Sequence, residues 1–127
     1  MAAERVRMEV ISQNIANVHT TRGIDGQPYQ RQQVIFQAVL DHAQAIGTGP
    51  QTVEVSRIEK DQRPPRLVHN PGHPDADPET GMVAYPDISI HQEMADYIVA
   101  SRAYEANLAV VKNARSMALQ TLAIGKR

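Results

Sequence analysis

Proline and glycine placement constrains this chain more than any other feature. All eight prolines fall between Pro28 and Pro86, and six of the seven glycines fall between Gly23 and Gly81. Proline removes a backbone donor and clashes with the preceding helical turn, while glycine carries the largest entropic cost of ordering. Long helices are therefore confined to the two ends. The middle must be built from turns and short extended pieces. Three segments follow: residues 1–22, 23–86 and 87–127.

The first segment reads as a helix from Met1 to about Val18. Met8, Ile11, Ile15 and Val18 recur at steps of three, four and three, which aligns them in one stripe. Ala3, Val6 and Val10 form a second stripe beside it. The helix is expected to stop within His19–Gly23, where β-branched residues and then glycine disfavour continuation.

The last segment reads as one helix from Asp87 or Ile90 to about Ile124. A stripe runs through Ile90, Met94, Tyr97, Ser101, Tyr104 and Leu108 and continues through Val111, Arg115, Ala118 and Leu122. A second runs through Ala103, Ala106, Val110, Met117 and Ile124. Pro86 precedes the helix, and Gly125-Lys126-Arg127 closes it with cations suited to its C-terminal dipole. At about 1.5 Å per residue the helix would be roughly 50–55 Å long. A compact globule of this chain length has a radius of gyration of only about 14 Å. Such a helix has to project.

Between the ends, Tyr29–Leu40 is rich in strand formers, with Val34, Phe36 and Ala38 on one face. Gln51–Ser56 alternates, with Val53 and Val55 opposite Thr52 and Glu54. Arg66–His69 and Met82–Tyr85 are short further strands, and 41–50, with Gly47 and Gly49, is a connection. The fold class is therefore α+β. Long terminal helices pair as a coiled-coil-like hairpin around a small β-rich middle.

Composition narrows the function classes. Aromatics are 4% of residues, with no Trp and a single Phe, so the core must rest on Ile, Val, Leu, Ala and Met. A net charge of -1 supplies no positive field for nucleic acid, and the chain lacks cysteine. No apolar run approaches the roughly 18–20 residues of a membrane span. Glu4, Arg5, Arg7 and Glu9 break the apolar stretch that a signal peptide needs, so the chain reads as soluble and without a cleaved leader.

Catalytic chemistry has little to stand on. Neither G-x-S-x-G, G-x-x-x-x-G-K-[ST] nor G-x-G-x-x-G occurs. His69, His73, Asp75, Asp77 and Glu79 are the one metal-like patch, and they fit no ligand template. Thr80 and Pro86 stand where a calcium loop beginning at Asp75 needs Gly and Glu, and Pro71, Gly72 and Pro74 forbid a helix carrying both histidines. The expectation is a proline-stiffened surface loop whose carboxylates accept backbone hydrogen bonds. No catalytic residue, cofactor, metal or small-molecule substrate is expected.

The terminal stripes carry the functional reading. An ordinary core face is one explanation of them. Two adjoining stripes per helix, however, exceed what one partner covers, and polar residues interrupt them: Asn14 and Asn17 in the first helix, Ser101, Asn107, Asn113 and Arg115 in the last. Such residues fix the register of a packed helical interface, because mispaired neighbours leave them unsatisfied. The expected subunit seam takes Met8, Ile11, Asn14, Ile15, Asn17 and Val18 from the first helix. From the last it takes Met94, Tyr97, Ser101, Tyr104, Asn107, Leu108, Val111, Arg115 and Leu122. A free subunit is expected to leave its ends unordered until neighbours cover them.

Three motifs in order carry a resemblance. Ser12-Gln13-Asn14-Ile15-Ala16-Asn17-Val18-His19-Thr20 resembles the asparagine-rich N-terminal motif of bacterial flagellar rod and hook proteins. Tyr85-Pro86-Asp87-Ile88, followed by Met94 and Ser101-Arg102-Ala103-Tyr104-Glu105-Ala106-Asn107, is similar to the C-terminal motif of that superfamily. Pro71–Asp77 with Val83-Ala84-Tyr85-Pro86 is similar to its proximal-rod members. The resemblance covers nearly the whole chain. It implies a structural axial protein of the flagellar basal body, spanning the periplasm and exported by the flagellar type III apparatus. The implied partners are copies of itself and other proximal-rod proteins, with the export gate and MS ring below and the distal rod above. No nucleic acid is among them. Members of the superfamily carry roughly a dozen further N-terminal residues, about three helical turns, so the sequence reads as shortened at that helix.

Overall fold

A computed structural model describes residues 1–40 and 51–125. Its elements are α1 (Ala2–Ala16), β1 (Gln32–Leu40), β2 (Gln51–Lys60), β3 (Arg66–His69), β4 (Met82–Tyr85) and α2 (Ile90–Ile124). The expected connection at 41–50 lies outside the described residues, as do Lys126 and Arg127.

The helices occupy the segments that proline and glycine leave free. α1 ends at Ala16 because Asn17 turns back on it: the Asn17 backbone N–H and side-chain amide both donate to the Gln13 carbonyl. Thr20 then bonds the Asn17 side chain and backbone, and Tyr29 N–H donates to the Thr20 carbonyl, which returns the chain toward β1. α2 begins after Ser89 and runs for 35 residues, about 52 Å at 1.5 Å per residue. Gly125 closes it in the right-handed conformation (φ -75°), without the left-handed cap that glycine often supplies. Among the described residues no helix is long and apolar enough to cross a membrane.

β1 and β2 pair antiparallel from Gln32↔Lys60 to Leu40↔Gln51. The register slips between Ile35 and Phe36, whose partners are Arg57 and Val55, so Ser56 is bulged out. This bulge lets β2 continue to Lys60, four residues beyond the expected strand. Val34 and Phe36 are half-buried and Ala38 is exposed. β3 and β4 form a second antiparallel pair, Arg66↔Tyr85 to His69↔Met82. Gly81 closes it with φ 65°, where a Cβ would stand 3.0 Å from His69 Cε1.

The buried centre is small. Among the described residues it consists of Ala3, Val10, Ile11 and Asn14 on α1, Val83 on β4, Pro86 just after it, and Glu93 and Ala100 on α2. Asn14 near the end of α1 meets Glu93 in the first turn of α2, and the helices stay in contact, so they run antiparallel. α1 has 15 residues against the 35 of α2. The longer helix outruns its cover, and every residue from Ala109 to Gly125 is exposed.

Candidate functional site

The best-defined constellation is a buried polar knot that joins α1, α2 and the start of β1. Asn14 donates through Nδ2 to the Gln32 carbonyl (2.9 Å) and to Glu93 Oε2 (3.0 Å). Its Oδ1 accepts the Gln32 N–H (2.9 Å) and the Tyr29 hydroxyl (3.0 Å). The paired bonds to Gln32 imitate a neighbouring strand, and all four of the side chain's bonding positions are used. Glu93 is 1% exposed. Its other oxygen accepts Arg31 Nε at 2.6 Å, and Arg31 also approaches Asp96 at 3.9 Å. Burial, and then the Glu93 charge, push the Tyr29 hydroxyl above its usual range, which keeps it protonated as a donor.

This knot has the character of a positioning device. A buried ion pair with its remaining bonds satisfied tolerates little displacement, because breaking it strands a charge. It sets how α1 lies on α2 and where the β1–β2 pair leaves the helices. Arg63 adds an outer strap, bonding Asp61 at the end of β2 and reaching Asp87 before α2 at 3.1 Å. The Asp61 carboxyl is held below its usual range, chiefly by the Arg63 hydrogen bond.

Among the expected seam residues, Ile11 and Asn14 belong to the chain's own interior, at 5% and 1% exposure. Met8, Ile15, Asn17, Val18, Ser101, Tyr104 and Leu108 are half-buried, whereas Met94, Tyr97, Asn107, Val111, Arg115 and Leu122 are exposed. The side of α1 turned inward is the Ala3–Val10–Asn14 line more than the Met8–Ile15–Val18 stripe. The reason is the knot: a polar side chain with four partners outranks an apolar stripe in setting the helix rotation. On α2, at about 100° per residue, the Val110–Met117–Ile124 stripe lies opposite the Leu108–Val111–Leu122 stripe, not beside it. The projecting half of α2 is thus apolar on two sides, with Val110, Met117, Leu122 and Ile124 all at least 65% exposed.

Sequence reasoning missed Glu93, Arg31 and Tyr29. Glu93 left one trace, since it lies two helical turns before Ala100 on the side that α1 covers. The 69–79 loop folds on itself. Asp77 accepts the Glu79 N–H and Thr80 hydroxyl, and His73 Nδ1 accepts the Asp75 N–H. Asp75 accepts the Thr21 hydroxyl at 2.8 Å, which ties the loop to the exit of α1. Among the described residues no group of three or more His, Asp or Glu is placed to hold a metal ion.

These features match known proteins at both ends and along the whole length. Residues 1–22 match the family described as flagella basal body rod protein, and residues 79–124 match the C-terminal family of flagellar basal body rod FlgEFG proteins. The chain is 41% identical to the flagellar basal-body rod protein FlgC of Borreliella burgdorferi, over 98% of the chain and 90% of that protein. The chain belongs to the FlgC family of flagellar basal-body rod proteins. FlgC of Salmonella typhimurium is 39% identical over 99% of the chain and 90% of its own length, and FlgC of Bacillus subtilis is 36% identical over 99% and 91%. The two family-matched segments contain α1 and α2, so the family signature coincides with the helices that the knot joins.

Proposed function

We propose that the protein is a structural, non-catalytic subunit of the bacterial flagellar basal-body rod, placed in its proximal part. One observation carries this reading beyond the family name. α2 carries large apolar side chains on two opposite sides, Val110, Met117 and Ile124 on one and Val111 and Leu122 on the other. Such a helix needs neighbours on both sides, which a tube of repeated subunits supplies. The partners are further copies and other proximal-rod proteins, with the export gate and MS ring beneath and the distal rod above. Export through the flagellar type III apparatus would deliver the chain across the inner membrane. Torque would pass along the helices through many small packing contacts, while the β-rich middle decorates the outside.

Assembly would couple to folding through the apolar surface of the helices: α1 covers one side of α2 within the chain, and the opposite side is left for neighbours. Leu122 is 66% exposed, and Leu122→Asp should leave the monomer's circular dichroism unchanged. A covered leucine contributes about 1.5–3 kcal/mol, and a buried unpaired carboxylate costs more. Cells carrying only this variant are expected to be non-motile, with the protein absent from isolated basal bodies. Normal motility with full incorporation would overturn the reading.

A further inference from the structure

The turn that leads from α1 to β1 carries an isoleucine at its tip. Among the described residues Ile24 is the most exposed large apolar side chain, at 107%. Gly23 N–H donates to the Gln27 carbonyl (2.8 Å) and Gly26 N–H to the Gly23 carbonyl (3.0 Å), with Gly26 at φ 72°, so the backbone itself holds the tip in place. A single exposed apolar residue signifies little on its own. Here it stands on an ordered turn beside an exposed acid, Asp25. Elsewhere, a groove of about 320 Å³ opens where α1, β1 and α2 meet. Val10 and Ile11 from α1 and Val34 and Phe36 from β1 give it an apolar lining, while Arg7 from α1 and Asp96 from α2 bring charge to it. Asp96 already faces Arg31 at 3.9 Å. Among the described residues Arg7 and Asp25 have no salt-bridge partner.

We infer that Ile24 of one copy enters this groove in a second copy, with Asp25 meeting Arg7. This rests on the rod-subunit reading and adds a contact made by the α1–β1 turn. Ile24 does not serve the groove of its own chain, since its side chain is wholly exposed. Charge selects the occupant: a cation without a partner beside an apolar lining suits an apolar side chain that has an acid next to it. Charge also sets the orientation, because the reverse placement would bring Asp25 against Asp96, and like charges disfavour the wrong register. The turn is already shaped, so docking orders little further chain. The contact is heterologous: each copy offers one knob and one groove, and copies add without closing on themselves.

The test measures self-association of the full chain by sedimentation over a concentration series, at low and high salt. Ile24→Ser should weaken association at least roughly tenfold at either salt, because it removes the apolar knob. Asp25→Arg and Arg7→Glu should each weaken it roughly tenfold at low salt, and less at high salt. The double variant Arg7→Glu/Asp25→Arg should recover most of that loss. Circular dichroism of each monomer verifies that folding is intact. Ile24 and Asp25 are exposed, so their variants decide the contact even where Arg7→Glu fails to fold. Unchanged association of Ile24→Ser and Asp25→Arg, or a double variant no better than Arg7→Glu alone, would overturn the contact, and loss of association in Leu122→Asp would then leave the rod-subunit reading standing. Insensitivity to Leu122→Asp as well, or no self-association of the unaltered chain at any concentration, would overturn both.

Discussion

Replacing Asn14 by alanine removes four hydrogen bonds at once. Two were made to the Gln32 backbone, one to the Tyr29 hydroxyl and one to the buried Glu93 carboxylate. Bonds to charged groups contribute about 1.5–3 kcal/mol, and each buried group left unpaired costs about 1–3 kcal/mol. Partial rehydration offsets some of this, so urea unfolding of Asn14→Ala should show a loss of about 3 kcal/mol. Asn14→Leu separates bonding from packing, since it restores the volume but none of the partners. It should be destabilised about as much, because Glu93 still loses a donor inside the fold. A leucine variant as stable as the unaltered chain would show that the knot contributes no net stability.

At the scale of elements, the β3–β4 pair depends on one backbone conformation. Gly81 sits at φ 65°, donates to the Asp77 carbonyl and accepts the Asn70 N–H, which closes the proline-rich loop. Gly81→Ala meets two obstacles together: the left-handed conformation costs roughly 1–2 kcal/mol for an L-residue, and the new Cβ would press on His69 at 3.0 Å. Thermal unfolding should therefore move to lower temperature, with proteolysis of the 70–81 loop appearing first. An unshifted transition would count against the strained turn. This pair and α2 were legible in sequence because their signals are local: Pro86 before α2, and the short apolar stretches Leu67-Val68 and Met82–Tyr85 bounded by turn residues. The two stripes of α2 were also legible, although stripe membership alone did not reveal that they lie on opposite sides. The knot was not legible, because Asn14 and Glu93 are 79 positions apart: Asn14 reads as an interface residue, but nothing local names its partner. The stripe places Ile11 at a subunit seam, whereas Ile11 is buried within its own chain; whether cover comes from the same chain or a neighbour is a tertiary fact that a stripe does not encode. The bulge at Ser56 was equally hidden, since one unpaired residue leaves the strand composition unchanged.

Across the whole molecule, stability is unevenly spread along α2. Its first half shares the knot and the contact with α1, whereas residues 109–125 form a helix of about 10–12 Å diameter on which no described residue is buried. Isolated helices of about 12–15 residues are marginal in water, and tail helicity has only continuity with the first half to support it. Local opening there should cost far less than global unfolding. In a dilute monomer, amide hydrogen exchange is therefore expected to be fast from Ala109 onward and slow around Glu93–Ala100 and Val10–Asn14. Assembly should reverse this for the tail alone, slowing its exchange by orders of magnitude while the knot changes little. The contrast matters because it separates two accounts of how a subunit orders itself. If both helices waited for neighbours, α1 and the tail would gain protection together on assembly. If the chain carries its own folded junction, only the tail responds, and a rod would grow by adding bodies that are already shaped. Tail amides as protected in the dilute monomer as that of Ala100 would mean that α2 needs no neighbour, and an uncovered tail could then no longer be what drives the chain to polymerise.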